Sequence, residues 1–195
     1  MTPLPIRDPD VMILAGIATA LEADYASESL AWEGSPFAWI KTRPSRQIGA
    51  IGEKLVAGYF AAKDFDVVKS PNSDADRKIG GLLTEIKFST RWANGQYKFQ
   101  QLRDQAYDVA ICLGVCPFDA HCWVLPKATI LSGWGTARGL TSQHGGQRGR
   151  DTAWLDVNPA DVPEWLSPFG GSLREATEVF RQLAEVGPLG TDSGL

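Results

Sequence analysis

Residues Ser70–Ser89 read SPNSDADRKIGGLLTEIKFS, which gathers the residue types that hydrolytic chemistry needs. Gly80-Gly81 is a two-residue turn signal between strand-like runs at 75–79 and 82–89. Around such a turn Asp76 falls opposite Glu85, and Asp74 falls opposite Lys87. Side chains alternate faces along a strand, so all four project from one face. Opposed Cβ atoms lie about 5 Å apart, close enough for two carboxylates to repel. A hard divalent cation such as Mg²⁺ relieves that repulsion, because it takes oxygen ligands and keeps several waters. Lys87, next on the face, can stabilise an attacking water or help to deprotonate it. Together these groups suit metal-assisted hydrolysis of a phosphodiester. They also fit the charged outer face of an ordinary hairpin, with Asp74 and Lys87 as a cross-strand pair. That reading leaves the opposed Asp76 and Glu85 unexplained, since like charges opposed destabilise a sheet.

Asp76, Gly81, Glu85 and Lys87 match the pattern D-x4-G-x3-E-x-K. The stretch resembles the signature of the PD-(D/E)XK nuclease superfamily. The resemblance implies metal binding by Asp76 and Glu85 and assistance to the nucleophile by Lys87, with Mg²⁺ as cofactor and Mn²⁺ as a substitute. There is one departure: Pro71 is adjacent to neither aspartate, so Asp74 stays a rival to Asp76 as metal ligand. Within the superfamily, EIKFST followed by FQQLRDQ is most similar to type II restriction endonucleases. That likeness implies an α/β fold: a restriction-endonuclease-like αβββαβ core with a mixed central sheet and helical N- and C-terminal extensions. It also implies sequence-specific cleavage of double-stranded DNA by a cytoplasmic homodimer, with a cognate DNA methyltransferase encoded nearby. A structure-, mismatch- or modification-directed nuclease or nickase stays open beside it. So does a non-catalytic DNA-binding module on the same fold.

The elements around the hairpin must position these groups. Apolar spacing predicts a helix over 10–31 through Val11, Leu14, Ile17, Ala18, Leu21 and Tyr25. A second helix is expected over 46–63, capped by Ser45, and it is apolar on nearly all sides. Glu53 shares a stripe of that helix with Gly49, Val56 and Phe60, and a buried carboxylate needs a partner. Nucleases of the resembled type often place a Glu there, near the metal; an ion pair with Arg46 is the alternative. Strands are expected at 66–70, 108–115, 121–126 and 152–157, a short helix at 99–105, a long loop at 132–152 and a helix at 172–186. The whole of 1–195 reads as one nuclease domain. Within it, 1–44 is an N-terminal helical extension, 45–127 the catalytic core, 128–170 a DNA-contact loop with an extra strand, and 171–195 a C-terminal helix and tail.

Charge separates along the chain. The net charge is −4, yet residues 41–150 carry 16 Lys and Arg against 9 Asp and Glu. A basic middle is the footprint of a phosphate-binding surface. Candidate DNA contacts near the hairpin are Arg46, Arg77, Lys78, Ser89, Arg91 and Trp92. Gln101, Arg103 and Gln105 follow the catalytic strand; Arg can bridge phosphate or guanine, and Gln can read adenine edges. Gln101 can alternatively hold the active-site water or the lysine. Loop residues Arg138, Gln143, His144, Arg148 and Arg150 complete the set, with no acid between Asp119 and Asp151. The loop lacks Walker A spacing, so a nucleotide P-loop is not supported.

Three cysteines argue against a secreted disulfide framework and for a reducing compartment. Cys112, Cys116 and Cys122 with His121 match no usual zinc spacing, and Cys112 and Cys122 lie in apolar strands where a thiol acts as a small hydrophobe. No apolar run approaches the ~20 residues of a membrane span, and MTPLPIRDPD has no signal-peptide h-region.

Overall fold

The run Val109–Cys116, VAICLGVC, has no charged side chain, and every one of its residues is buried. It is a strand covered on both faces and paired on both edges. The structure, a computed structural model, describes residues 6–145 and 151–187, and all side chains among them except those of 23–29. Its helices are α1 (Pro9–Leu30), α2 (Ala38–Lys41), α3 (Ser45–Ala61), α4 (Lys127–Gly133) and α5 (Leu173–Val186). The strands are β1 (Val67–Lys69), β2 (Arg77–Ile79), β3 (Leu82–Thr90), β4 (Tyr97–Leu102), β5 (Val109–Cys116), β6 (Asp119–Pro126), β7 (Leu140–Ser142), β8 (Ala153–Val157) and β9 (Gly170–Ser172).

The large sheet has the order β1-β2-β3-β5-β6-β9. β3 and β5 run parallel, whereas the other neighbours are antiparallel, so the sheet is mixed. Period-two alternation divides its side chains between two cores. On one face Ile79, Leu82, Ile86, Ile111, Leu113 and Val124 pack against Val56 and Phe60 of α3 and Phe180 of α5. On the other, Ala110, Cys112, Trp123 and Leu125 pack against a small antiparallel sheet, β4-β8-β7, through Tyr97, Phe99, Leu102, Leu140, Leu155 and Val157. The molecule is a mixed α/β fold with helices at both ends. No helix among the described residues is long and apolar enough to cross a membrane.

The turn between β2 and β3 forms as its glycines require. Gly80 has φ 51° and Gly81 φ 90°, both positive as a type I′ turn demands. The pairs are Ile79↔Leu82, Lys78↔Leu83 and Arg77↔Thr84, the expected register. Gly52 of α3 has a different purpose. A Cβ built there would lie 2.2 Å from Cβ of Phe88, so its missing side chain lets α3 lie directly on β3.

Several expected elements differ. The helix at 99–105 is instead the strand β4, so the connection between β3 and β5 is extended where αβββαβ has a helix. The strand carries a register shift between Phe99 and Leu102. The bulge buries residues three apart, Phe99 and Leu102, and leaves Gln100 and Gln101 exposed, which imitates helical spacing. The stretch 132–152 is not all loop, because it holds the end of α4 and β7. Pro44, not Ser45, occupies the α3 N-cap, and no side chain caps that end. By contrast, α5 begins with a full capping box between Ser172 and Glu175.

Candidate active site

β2 begins only at Arg77, whereas β3 runs on to Thr90. Past Thr84 the β2 side of β3 therefore has no strand partner, and its backbone donors need other acceptors. Asp76 supplies one. Its backbone N–H donates to the Thr84 carbonyl at 3.0 Å, and its Oδ2 accepts from the Ile86 N–H at 2.7 Å. A carboxylate is thereby fixed on the β3 backbone, beside Glu85.

Glu85 is 8 % exposed, and its Oε1 lies 2.6 Å from Lys87 Nζ. Burial raises its pKa above the ordinary carboxylate value; Lys87 opposes the rise, and the charge of Asp76 adds to it. Glu53 reaches the same place from α3. Its pKa is also raised, first by burial and then by Asp76, while Arg77 and Lys87 pull it down. Lys87 is thus bonded to Glu85, and the charges of Asp76 and Lys87 act on both Glu53 and Glu85. Arg77 lies 3.6 Å from Glu53 and donates to the Asp76 carbonyl at 2.7 Å. Arg46, the alternative partner of Glu53, is exposed in the first turn of α3.

Asp74 is placed elsewhere. The strand pairing that would set it opposite Lys87 does not extend that far; it sits in the preceding turn, where its Oδ2 accepts from the Ala106 N–H at 3.4 Å. The donor chemistry of the remaining set suits a hard divalent cation. It is all carboxylate and partly buried. Glu85 has lone pairs to spare beyond its bond to Lys87.

The DNA-contact candidates divide. Arg103 lies near enough to lower the Glu85 pKa, and it donates to Gln101 Oε1 at 3.4 Å. Gln101 itself has φ 60°, an unusual backbone for a non-glycine residue, and the bulge turns it outward. Lys78 is exposed on β2, Gln105 is half-buried, and Arg91 is half-buried after β3. Trp92 is 50 % exposed, with Lys98 Nζ 5.3 Å from its ring centre and 5.0 Å from that of Trp154. Sequence reasoning missed this Trp–Lys–Trp stack, since strand alternation alone does not show that the two tryptophans share a neighbour.

Ser89 must be corrected. It is buried, donates to the Thr90 carbonyl at 2.9 Å and accepts from the Lys98 N–H at 3.0 Å, so it ties β3 to β4. Arg138 is ion-paired with Asp161. Gln143 accepts from the Thr152 hydroxyl, and His144 Nδ1 lies 2.9 Å from Asp151 Oδ1. Asp151 also accepts from Ser142 and from two backbone N–H groups, and these bonds hold its pKa well below the usual range. Arg148 and Arg150 lie outside the described residues.

A bacterial homing endonuclease, I-Ssp6803I, is similar in structure. The match has 15 % identity and a TM-score of 0.49, and covers 74 % of this chain and 96 % of that one. Likeness at that distance decides nothing about the chemistry here. No protein-family model matches the chain, and no curated protein matches it either.

Proposed function

We propose that the protein is a Mg²⁺-dependent endonuclease that hydrolyses phosphodiester bonds in double-stranded DNA. The observation that carries this reading is the buried Glu85, bonded to Lys87 on the β3 edge that β2 leaves uncovered, with Asp76 close enough for its charge to act on both Glu85 and Glu53. A charged solvent face does not bury a glutamate beside a second carboxylate, and a structural ion pair needs one acid rather than three. Asp76 and Glu85, with Glu53 behind them, would hold Mg²⁺ or Mn²⁺. The ion, when bound, supplies a more acidic water and charge neutralisation on the phosphate.

The protein's own residues do the rest. Water attacks phosphorus, and the phosphorus–oxygen bond to the leaving sugar oxygen breaks. Lys87, held by Glu85, sets a positive charge and an exchangeable proton beside the reacting groups. Arg77 and Arg103 supply further positive charge for the phosphate. Asp76 is fixed by its bond to the Ile86 N–H, so its orientation is set before substrate arrives. The exposed Gln101 and Arg103 at the β4 bulge, with Trp92 beside β4, are suited to contact the duplex.

The finer reading is a restriction-type enzyme: sequence-specific, acting as a homodimer on a two-fold symmetric site, with a methyltransferase encoded nearby. Exposed Met12, Ile13, Leu14 and Ile17 on α1 support self-association. Three free cysteines suit a reducing cytoplasm. The test is digestion of unmethylated phage DNA with Mg²⁺, beside EDTA and Lys87→Ala controls. Discrete fragments seen only with Mg²⁺ and wild-type protein are expected. A smear with the same controls keeps the chemistry and removes sequence specificity. Binding without cleavage on linear, branched and modified DNA would make the protein a binding module.

A further inference from the structure

The strands β5 and β6 meet in a two-residue turn, Pro117-Phe118, which pairs Cys116 with Asp119 and Gly114 with His121. Residues two apart share a face, so Cys116, Asp119 and His121 project from one side of the hairpin. Their ligand atoms all lie within 4.8 Å of one another. His121 Nε2 is 3.9 Å from Asp119 Oδ2. Sequence spacing pointed away from zinc because it weighed the cysteines and the histidine and left out Asp119. Cys112 and Cys122 are buried in the core and take no part in the group.

A second feature organises this cluster. His121 Nδ1 lies 2.9 Å from the Tyr97 hydroxyl, and the Cys116 thiol is near enough to the same hydroxyl to act on it. With the hydroxyl proton directed at the sulfur, the phenol oxygen accepts from Nδ1–H. The Nε2 lone pair is then left facing Asp119. Metal-binding histidines are oriented by just such a partner on the other ring nitrogen. A phenol keeps its proton at neutral pH, so Tyr97 remains a donor. Gly114 makes the arrangement possible: a Cβ there would lie 2.6 Å from the Tyr97 ring.

We propose that Cys116 Sγ, Asp119 and His121 Nε2 form a zinc site at the β5–β6 turn, with solvent as fourth ligand. One thiolate, one imidazole and one carboxylate with an open position are a zinc donor set, unlike the all-oxygen cluster around Lys87. Binding replaces the Cys116 S–H, which donates to the Asp119 carbonyl at 3.3 Å, and releases its proton to solvent. Cys112 is no competitor, since burial pushes its thiol up to about 12. The site is independent of the proposed cleavage chemistry. Cys112 pairs with Lys87, and Cys116 lies four residues further along β5, about 13 Å away.

The test is titration of the metal-stripped, full-length protein with Co²⁺, followed by displacement with Zn²⁺. One equivalent of Co²⁺ should give a sulfur-to-cobalt charge-transfer band and intense tetrahedral visible bands, both abolished by Zn²⁺. Cys116→Ser should remove the charge-transfer band. Cys112→Ser, Cys122→Ser and Asp76→Asn should keep it, the last showing that the carboxylate cluster is not its source. Tyr97→Phe keeps the ring and removes the hydroxyl; it should weaken Zn²⁺ binding by about 10–100-fold. Thermal melts identify any variant that fails to fold, and the remaining variants then decide. Absence of the band in wild-type protein, or its survival in folded Cys116→Ser, overturns the proposal.

Discussion

β3 and β5 are parallel neighbours in continuous register from Thr84↔Val109 to Thr90↔Val115, yet they do opposite things. β5 has strands on both sides and a core on both faces, and all its residues are buried and uncharged. β3 shares one of those cores through Leu82 and Ile86, but loses β2 as a neighbour after Thr84. From there it carries Glu85 and Lys87 on its other face. The difference is one of completeness: a strand with every edge and face satisfied has no room for charge, whereas one with a single open edge can present it.

Substitutions that make β3 resemble β5 should have the largest effect. The double variant Glu85→Leu/Lys87→Leu should lose cleavage by about 10²–10⁴-fold. Urea unfolding should show its metal-free stability unchanged, or higher by about 1–4 kcal/mol, because a buried ion pair seldom outperforms apolar packing. Lys87→Leu alone should destabilise by about 3–5 kcal/mol, since Glu85 is then buried without its partner. On β5, Ile111→Ala should cost about 2–5 kcal/mol by urea unfolding while leaving the pH dependence unchanged.

The smallest effect is a pH dependence. The Glu53 and Glu85 carboxyls are raised by burial in the folded chain. Their stabilising contribution is therefore complete below the unfolded value of about 4.3 and is lost as pH rises through the folded one. The Tm of metal-free protein should fall over that window, Glu53→Gln should flatten the fall, and the Tm gain from added Mg²⁺ should grow with pH. A Tm profile identical in wild type and Glu53→Gln would remove Glu53 from the cluster.

Much of this was legible in the sequence because it depends on short-range rules. Two adjacent glycines require a turn, the turn sets the register, and the register places Asp76 near Glu85. Apolar spacing likewise located α1, although its Val11, Leu14, Ile17 and Leu21 are exposed, and α3 and α5 were also placed from the sequence. What was not legible depends on breaks in periodicity. The bulge at Gln101 changes strand spacing into helical spacing, which is why β4 was expected to be a helix. Asp74 was expected opposite Lys87 because nothing local says that β2 begins only at Arg77, before which the Asp76 side chain takes over the role of a backbone acceptor. Ser89 resembled a surface hydroxyl until β4 folded over it. The partner of Glu53 was equally hidden, since Arg77 comes from a different element and only packing brings the two together.

Gly52 leaves a mechanical consequence. Helix α3 rests on β3 through backbone and the Cβ of Phe88, with no side chain at that point to act as a spring. The very next residue is Glu53. The carboxylate is therefore mounted one residue from the close backbone approach between these two layers. A methyl added at residue 52 would act as a shim, lifting the helix and withdrawing Glu53 from Asp76 without altering any group in the cluster itself.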